Sequence, residues 1–119
     1  MITFVCYPKC TTCQKAQKWL DENRIPYALR DIKAENPTFE ELSAWHRTSG
    51  LPLRKFFNTS GLLYKSLELK NKLPDMSGEE MLQLLSTDGM LVKRPLVIGE
   101  DFVLVGFKEA EWESRLKHE

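Results

Sequence analysis

Cys10 and Cys13 enclose Thr11 and Thr12 in a CxxC, and two cysteines at that spacing can exchange with disulfides. The reactive species is the thiolate. An ordinary thiol with a pKa near ~8.5 is only about 3 % ionised at pH 7. Lowering that value by about two units would ionise most of it, a differential stabilisation of roughly 2.7 kcal/mol. A helix N-terminus favours the anion through its unpaired N–H groups and its macrodipole. Cys10 stands where such a helix would begin, which makes it the expected nucleophile. Cys13 lies one turn further on the same side, as the expected resolving thiol. Thr11 and Thr12 keep the loop small and polar and are expected to line an anion site. Lys9 and Lys15 add positive charge nearby.

The second chemical element is Arg94-Pro95. The guanidinium of Arg94 could stabilise a thiolate on Cys10 and grip an oxyanion bidentately. Pro95 opens a strand, is the expected cis-proline facing the CxxC, and with Arg94 is expected to line the anion site. A cis X–Pro bond is a minority state, so this assignment rests on topology and not on the dipeptide. A half metal site is the competing reading of the CxxC, but a closed zinc site needs four ligands. Only Cys6, His46 and His118 remain to complete one, and there is no second CxxC. No metal and no bound cofactor are therefore expected. Cys6 reads as a buried core cysteine, His46 as a surface or boundary residue and His118 as part of a disordered tail.

The elements that must position these residues follow from pattern. Residues 2–7 read as a strand with Phe4 and Cys6 on one face and Val5 and Tyr7 on the other. A helix is expected over 11–23, ended by Pro26, which disfavours a helical Ile25. Tyr27 to Ile32 reads as a second strand, parallel to the first through a right-handed crossover. Thr38-Phe39-Glu40-Glu41 has capping-box spacing and opens a helix to about Thr48, stopped at Gly50. Residues 51–75 are less periodic, with Asn58-Thr59-Ser60-Gly61 as a turn between short helical pieces. A second capping box, Ser77-Gly78-Glu79-Glu80, opens a helix ended by Asp88-Gly89. Its Met81, Leu82, Leu84 and Leu85, with Met90 and Leu91, read as core. Leu96-Val97-Ile98 and Phe102-Val103-Leu104-Val105 form a hairpin about Gly99-Glu100-Asp101. A last helix covers 108–116. The order β-α-β, helical block, β-β-α is that of a thioredoxin-like (glutaredoxin-like) α/β fold. One domain over 1–119 is expected, with a helical insertion at about 37–90 between strands two and three.

Composition narrows the function classes. The 119 residues carry 17 basic and 17 acidic side chains, a formal net charge of zero. A general nucleic-acid binder would normally be basic. No charged n-region and no long apolar segment suggests a signal peptide or a membrane span. The expected compartment is the reducing cytosol, where a CxxC is catalytic, redox-sensing or metal-binding more often than a structural staple. Between residues 43 and 74 six basic residues (Arg47, Arg54, Lys55, Lys65, Lys70, Lys72) meet one acidic residue, Glu68. That stretch could recognise an acidic partner, although a solvated helical face is the simpler reading.

Three segments carry a family resemblance. Tyr7-Pro8-Lys9-Cys10-Thr11-Thr12-Cys13-Gln14-Lys15-Ala16 resembles the N-terminal motif of the ArsC/Spx-like family. Phe57-Asn58-Thr59-Ser60-Gly61 and Asp88-Gly89-Met90-Leu91-Val92-Lys93-Arg94-Pro95-Leu96 resemble its later motifs, and Val105-Gly106-Phe107 before an acidic helix completes the pattern. The resemblance runs over nearly the whole chain and implies a thioredoxin-like fold with a helical insertion. It implies one of two activities. Arsenate reductases of this family use the cysteine matching Cys10 to attack arsenate, arginines to hold the oxyanion, and glutaredoxin with glutathione to release arsenite. Spx-type regulators bind the C-terminal domain of the RNA polymerase α subunit and use the CxxC as a disulfide switch. Arg94 matches the arginine before the cis-proline. The two further oxyanion-binding arginines of the reductases fall at Asn58 and about Phe107 here, and those reductases typically lack a cysteine at the Cys13 position. Gly50 falls roughly at a polymerase-contacting glycine of the regulators, a position that a helix C-cap explains equally well. The resemblance thus implies a thiol oxidoreductase with a Cys10–Cys13 disulfide. Its partner would be a glutaredoxin- or thioredoxin-like reductant. The RNA polymerase α subunit is the alternative partner, and a monomer is the expected state.

Overall fold

The computed structural model describes residues 1–117. The expected tail residue His118 lies outside them. The elements in chain order are β1 (Ile2–Cys6), α1 (Thr11–Glu22), β2 (Tyr27–Asp31), α2 (Phe39–Ser49), α3 (Leu62–Ser66), α4 (Leu69–Lys72), α5 (Gly78–Leu85), β3 (Leu96–Ile98), β4 (Val103–Val105) and α6 (Glu109–Leu116). Short 3-10 turns at Leu53–Phe56, Leu73–Asp75 and Gly89–Leu91 join the helices of the central block.

The sheet order is β2-β1-β3-β4. β1 pairs in parallel with β2, Ile2 opposite Tyr27 and Cys6 opposite Asp31. β3 runs antiparallel to both β1 and β4, and the Gly99 N–H bonds to the Phe102 carbonyl at 2.9 Å to close the hairpin. This is the thioredoxin-like order read from the sequence. Its physical basis is the period-2 alternation of β1. Phe4 and Cys6 face α1 and α6, packing with Cys13, Ala16, Leu20, Val97, Leu104 and Trp112. Val5 faces the other way, into a core with Ile32, Leu42, Phe56, Phe57, Leu85, Leu91 and Leu96. The helical block between β2 and β3 thus covers one face of the sheet, and α1 with α6 covers the other.

Both capping boxes form. The Thr38 hydroxyl accepts from the Glu41 N–H and the Ser77 hydroxyl from the Glu80 N–H, each with the reciprocal carboxylate bond. Gly50 ends α2 at φ 70°, a left-handed C-cap that favours glycine. α5 stops at Leu85, three residues short of the expected Asp88. The hydroxyls of Ser86 and Thr87 donate to the carbonyls of Gln83 and Leu84, satisfying groups that a further turn would have used. Asp88 instead caps the 3-10 turn, accepting from the Met90 N–H at 2.8 Å. Met90, read as core, lies half-exposed in the wall of a cavity that Cys10 also lines.

Candidate active site

Cys10 is the N-cap of α1, in an extended conformation, and its side chain makes no capping hydrogen bond. The loop before it is held from three sides. The Cys10 N–H bonds to the Tyr7 carbonyl at 2.9 Å, and the Gln14 N–H bonds back to the Cys10 carbonyl at 3.0 Å. The Gln14 side-chain amide reaches the Pro8 carbonyl at 2.9 Å. The thiol is therefore fixed at a helix N-terminus, half-buried, while its sulfur remains uncommitted as a cap.

Cys13 is 1 % exposed, beneath Cys10. Its Sγ accepts from the Tyr7 N–H at 3.3 Å, and its side chain packs in one cluster with Cys6 and Cys10. The neighbouring Cys6 thiol, with burial, pushes the Cys13 thiol well above its ordinary value. No disulfide joins the three cysteines.

A cavity of about 780 Å³ opens over Cys10. Two walls are built by long-range backbone bonds. On one side Phe57 bridges to Val92, the Asn58 N–H bonds to the Leu91 carbonyl at 2.8 Å, and the Lys93 N–H bonds to the Phe56 carbonyl at 2.7 Å. These bonds set Asn58, Ser60 and Gly61 beside Arg94. On the other side the Gly106 N–H bonds to the Pro95 carbonyl at 2.8 Å, and the Trp112 indole donates to the Gly106 carbonyl at 3.1 Å. Gly106 turns at φ 78°, which delivers Phe107 and Lys108 to the rim.

Of the residues singled out in the sequence, Cys10, Thr12 and Arg94 line this cavity. Cys13 lies below it. Thr11 is exposed outside the lining, and Pro95 is buried behind it, following a cis peptide bond from Arg94. Lys93 and Lys108 also line it. Lys93 falls within the Asp88–Leu96 motif without being singled out there, and Lys108 lies in no motif; the fold brings both to the cavity. No carboxylate is in the lining among the described residues.

Arg94 is under-bonded. Its guanidinium lies 5.3 Å from the Tyr7 ring centroid, and Nη1 reaches the Met90 carbonyl only at 3.5 Å. Its Nε is buried with no hydrogen-bond partner among the described residues. Leaving a buried donor unmet costs on the order of 1–3 kcal/mol. No group of three His, Cys, Asp or Glu side chains among the described residues could hold a metal ion.

A CxxC at the first strand–helix junction, with a cis-proline leading into the neighbouring strand of a β2-β1-β3-β4 sheet, defines a thioredoxin-like fold. The helical block between β2 and β3 narrows the class further. The ArsC family model matches residues 6–115, and the chain belongs to that family. It is 52% identical over 113 residues to the protein YusI of Bacillus subtilis, covering 95% of this chain and 96% of that one. It is 32% identical over 111 residues to the global transcriptional regulator Spx of Enterococcus faecalis, covering 93% and 83%. Among solved structures, an ArsC family related protein from Bacteroides fragilis superposes with a TM-score of 0.93 at 61% identity, over 95% of each chain. A possible arsenate reductase from Streptococcus mutans superposes with a TM-score of 0.84 at 45% identity, over 91% and 92%.

Proposed function

We propose that this protein is a cytosolic thiol–disulfide oxidoreductase in which Cys10 is the nucleophile and Cys13 the resolving thiol. The observation that carries the reading is the pairing of an uncapped, half-buried Cys10 at a helix N-terminus with a buried Cys13 packed in the same cluster. The Cys10 thiolate attacks one sulfur of a disulfide substrate, and the other sulfur leaves as a thiolate. The Cys13 thiolate then attacks Cys10 Sγ, forms the Cys10–Cys13 disulfide and expels the remaining substrate thiolate. The substrate gains two electrons and the pair loses two. Glutaredoxin with glutathione, or thioredoxin, returns the pair to the dithiol, and no bound cofactor is required. Arg94, Lys93, Thr12 and Lys108 favour an anionic substrate, either a disulfide with carboxylates or an oxyanion such as arsenate.

The test is a coupled assay of NADPH consumption with thioredoxin and glutaredoxin recycling systems, on disulfide substrates and on arsenate in parallel. Cys10→Ser should reduce turnover to the uncatalysed background, and Cys13→Ser should accumulate a mixed disulfide visible by intact mass. Unchanged turnover in Cys10→Ser overturns the mechanism.

A second reading is a redox-sensing regulator that binds the C-terminal domain of the α subunit of RNA polymerase. It is favoured by the likeness to Spx over 93% of this chain. It requires an oxidation-sensitive complex with that domain. Absence of the complex in both redox states removes it.

A further inference from the structure

The proposed reaction uses two of three thiols. Cys6 is the last residue of β1, 3 % exposed, on the strand face turned toward α1. The neighbouring Tyr7 N–H donates to Cys13 Sγ at 3.3 Å, which seats that sulfur against the end of β1. Cys13 packs in one cluster with the buried Cys6 and the half-buried Cys10. The three cysteines therefore form a chain of sulfurs graded by depth: Cys10 at the cavity, Cys13 beneath it, Cys6 in the core. A packing role alone would be met by any small apolar side chain. Contact with a sulfur that becomes electrophilic during turnover is a further chemical property.

We infer that Cys6 is a third redox thiol, which accepts the disulfide from the Cys10–Cys13 pair. This rests on the proposed pair and extends it inward. The Cys6 sulfur attacks Cys13 Sγ. A Cys6–Cys13 bond forms, the Cys10–Cys13 bond breaks, and Cys10 leaves as a thiolate, which takes up the proton lost by Cys6. No electrons enter or leave, because one disulfide replaces another. Two consequences follow. Cys10 is restored as a free nucleophile while the protein remains oxidised. The disulfide now lies between residues 3 % and 1 % exposed, where an external thiol reaches it only by way of Cys10 reversing the exchange. The site so gains a protected oxidised form in addition to the reactive one.

Tryptic mapping separates the two isomers, because cleavage after Lys9 puts Cys6 in peptide 1–9 and leaves Cys10 and Cys13 together in peptide 10–15. The reduced full-length protein is treated with one equivalent of diamide and held at about pH 8, conditions that keep thiolates available for exchange. It is then quenched in acid, unfolded and blocked with N-ethylmaleimide. The expected result is a mixture. One species carries the disulfide within 10–15 and the block on Cys6. The other joins 1–9 to 10–15 with the block on Cys10, and is absent from Cys6→Ala. An oxidised protein with Cys6 blocked at every time point overturns the inference and leaves the Cys10–Cys13 pair standing. A joined peptide with its block on Cys13 also overturns it, since the link would then be Cys6–Cys10. Failure to form any intramolecular disulfide removes the pair and the inference together.

Discussion

Cys10 and Cys13 are one helical turn apart, yet the fold gives them opposite surroundings. Cys10 faces a cavity bearing Lys93, Arg94 and Lys108, whereas Cys13 is buried against sulfur and a backbone N–H. Contact with Cys6 and burial push the Cys13 thiol up, so its thiolate is scarce at neutral pH. A group held well above the working pH gains thiolate about tenfold for each pH unit. Resolution of a Cys10 mixed disulfide should therefore speed up about tenfold per unit from pH 7 to 9. Single-turnover decay of the mixed disulfide, followed by mass or by a chromogenic leaving thiol, measures it. A rate that is flat over that range would show that Cys13 is not the attacking group.

Elements, and not single residues, hold this geometry. β2 and α2 are clamped by Arg30, whose guanidinium makes paired bonds to Glu41 at 2.7 and 2.8 Å and a third from Nε to the Glu35 carbonyl at 3.0 Å. The Arg30 guanidinium holds the Glu41 carboxyl down to about 2. A carboxylate with a lowered folded-state pKa stabilises fully above its unfolded value, and the contribution is lost as pH falls through the folded one. Glu41→Gln keeps the capping-box acceptor and removes the charge. Because Glu41 is partly exposed, the expected loss is about 0.5–1 kcal/mol at pH 7, discounted for solvent screening. The gap between wild type and variant should shrink as the pH falls from about 4.5 and close near pH 2, as read by denaturant melts. A constant gap would contradict the ion pair. Gly89 tests the other end of the insertion. A Cβ there would run into the Ile32 carbonyl, with the Asn36 side chain also at its limit. Because the obstacle is backbone, Gly89→Ala should cost about 1–3 kcal/mol. It should also raise the KM, since the turn at Gly89–Leu91 leads into Arg94. A thermal melt with the coupled assay checks both.

At the scale of the whole molecule, legibility in the sequence depends on how local each determinant is. β1, α1 and the two capping boxes are readable because alternation and cap spacing act within a few residues. Cys10, Thr12 and Arg94 are readable through motif and topology. The placement of Lys93, Lys108 and Ser60 at the cavity is not, even though Lys93 and Ser60 lie within the family motifs, since it depends on the Phe57–Val92 bridge and the Gly106–Pro95 bond. Met90 misleads for a related reason: its apolar side chain fits a core, and only the fold shows it at the cavity. The charge distribution adds a consequence that no single element carries. Basic and acidic residues balance over the chain, with a basic surplus of five in 43–74 and an equal acidic surplus elsewhere. A molecule without net charge exerts little long-range attraction on an anion, so selectivity for the proposed anionic substrate must come from the cations within reach of Cys10. At 0.1 M salt, screening sets in over about 10 Å, so these short-range contacts are weakened and not abolished. Reduction of oxidised glutathione, an anionic disulfide, should slow about three- to tenfold in kcat/KM between 0.05 and 0.5 M salt. Reduction of neutral hydroxyethyl disulfide should change less than about twofold. Lys93→Gln with Lys108→Gln should remove most of the difference while leaving the neutral substrate unaffected. Equal salt responses for the two substrates would mean that the cavity cations do not select the substrate, and that the under-bonded Arg94 serves the fold instead of an anion.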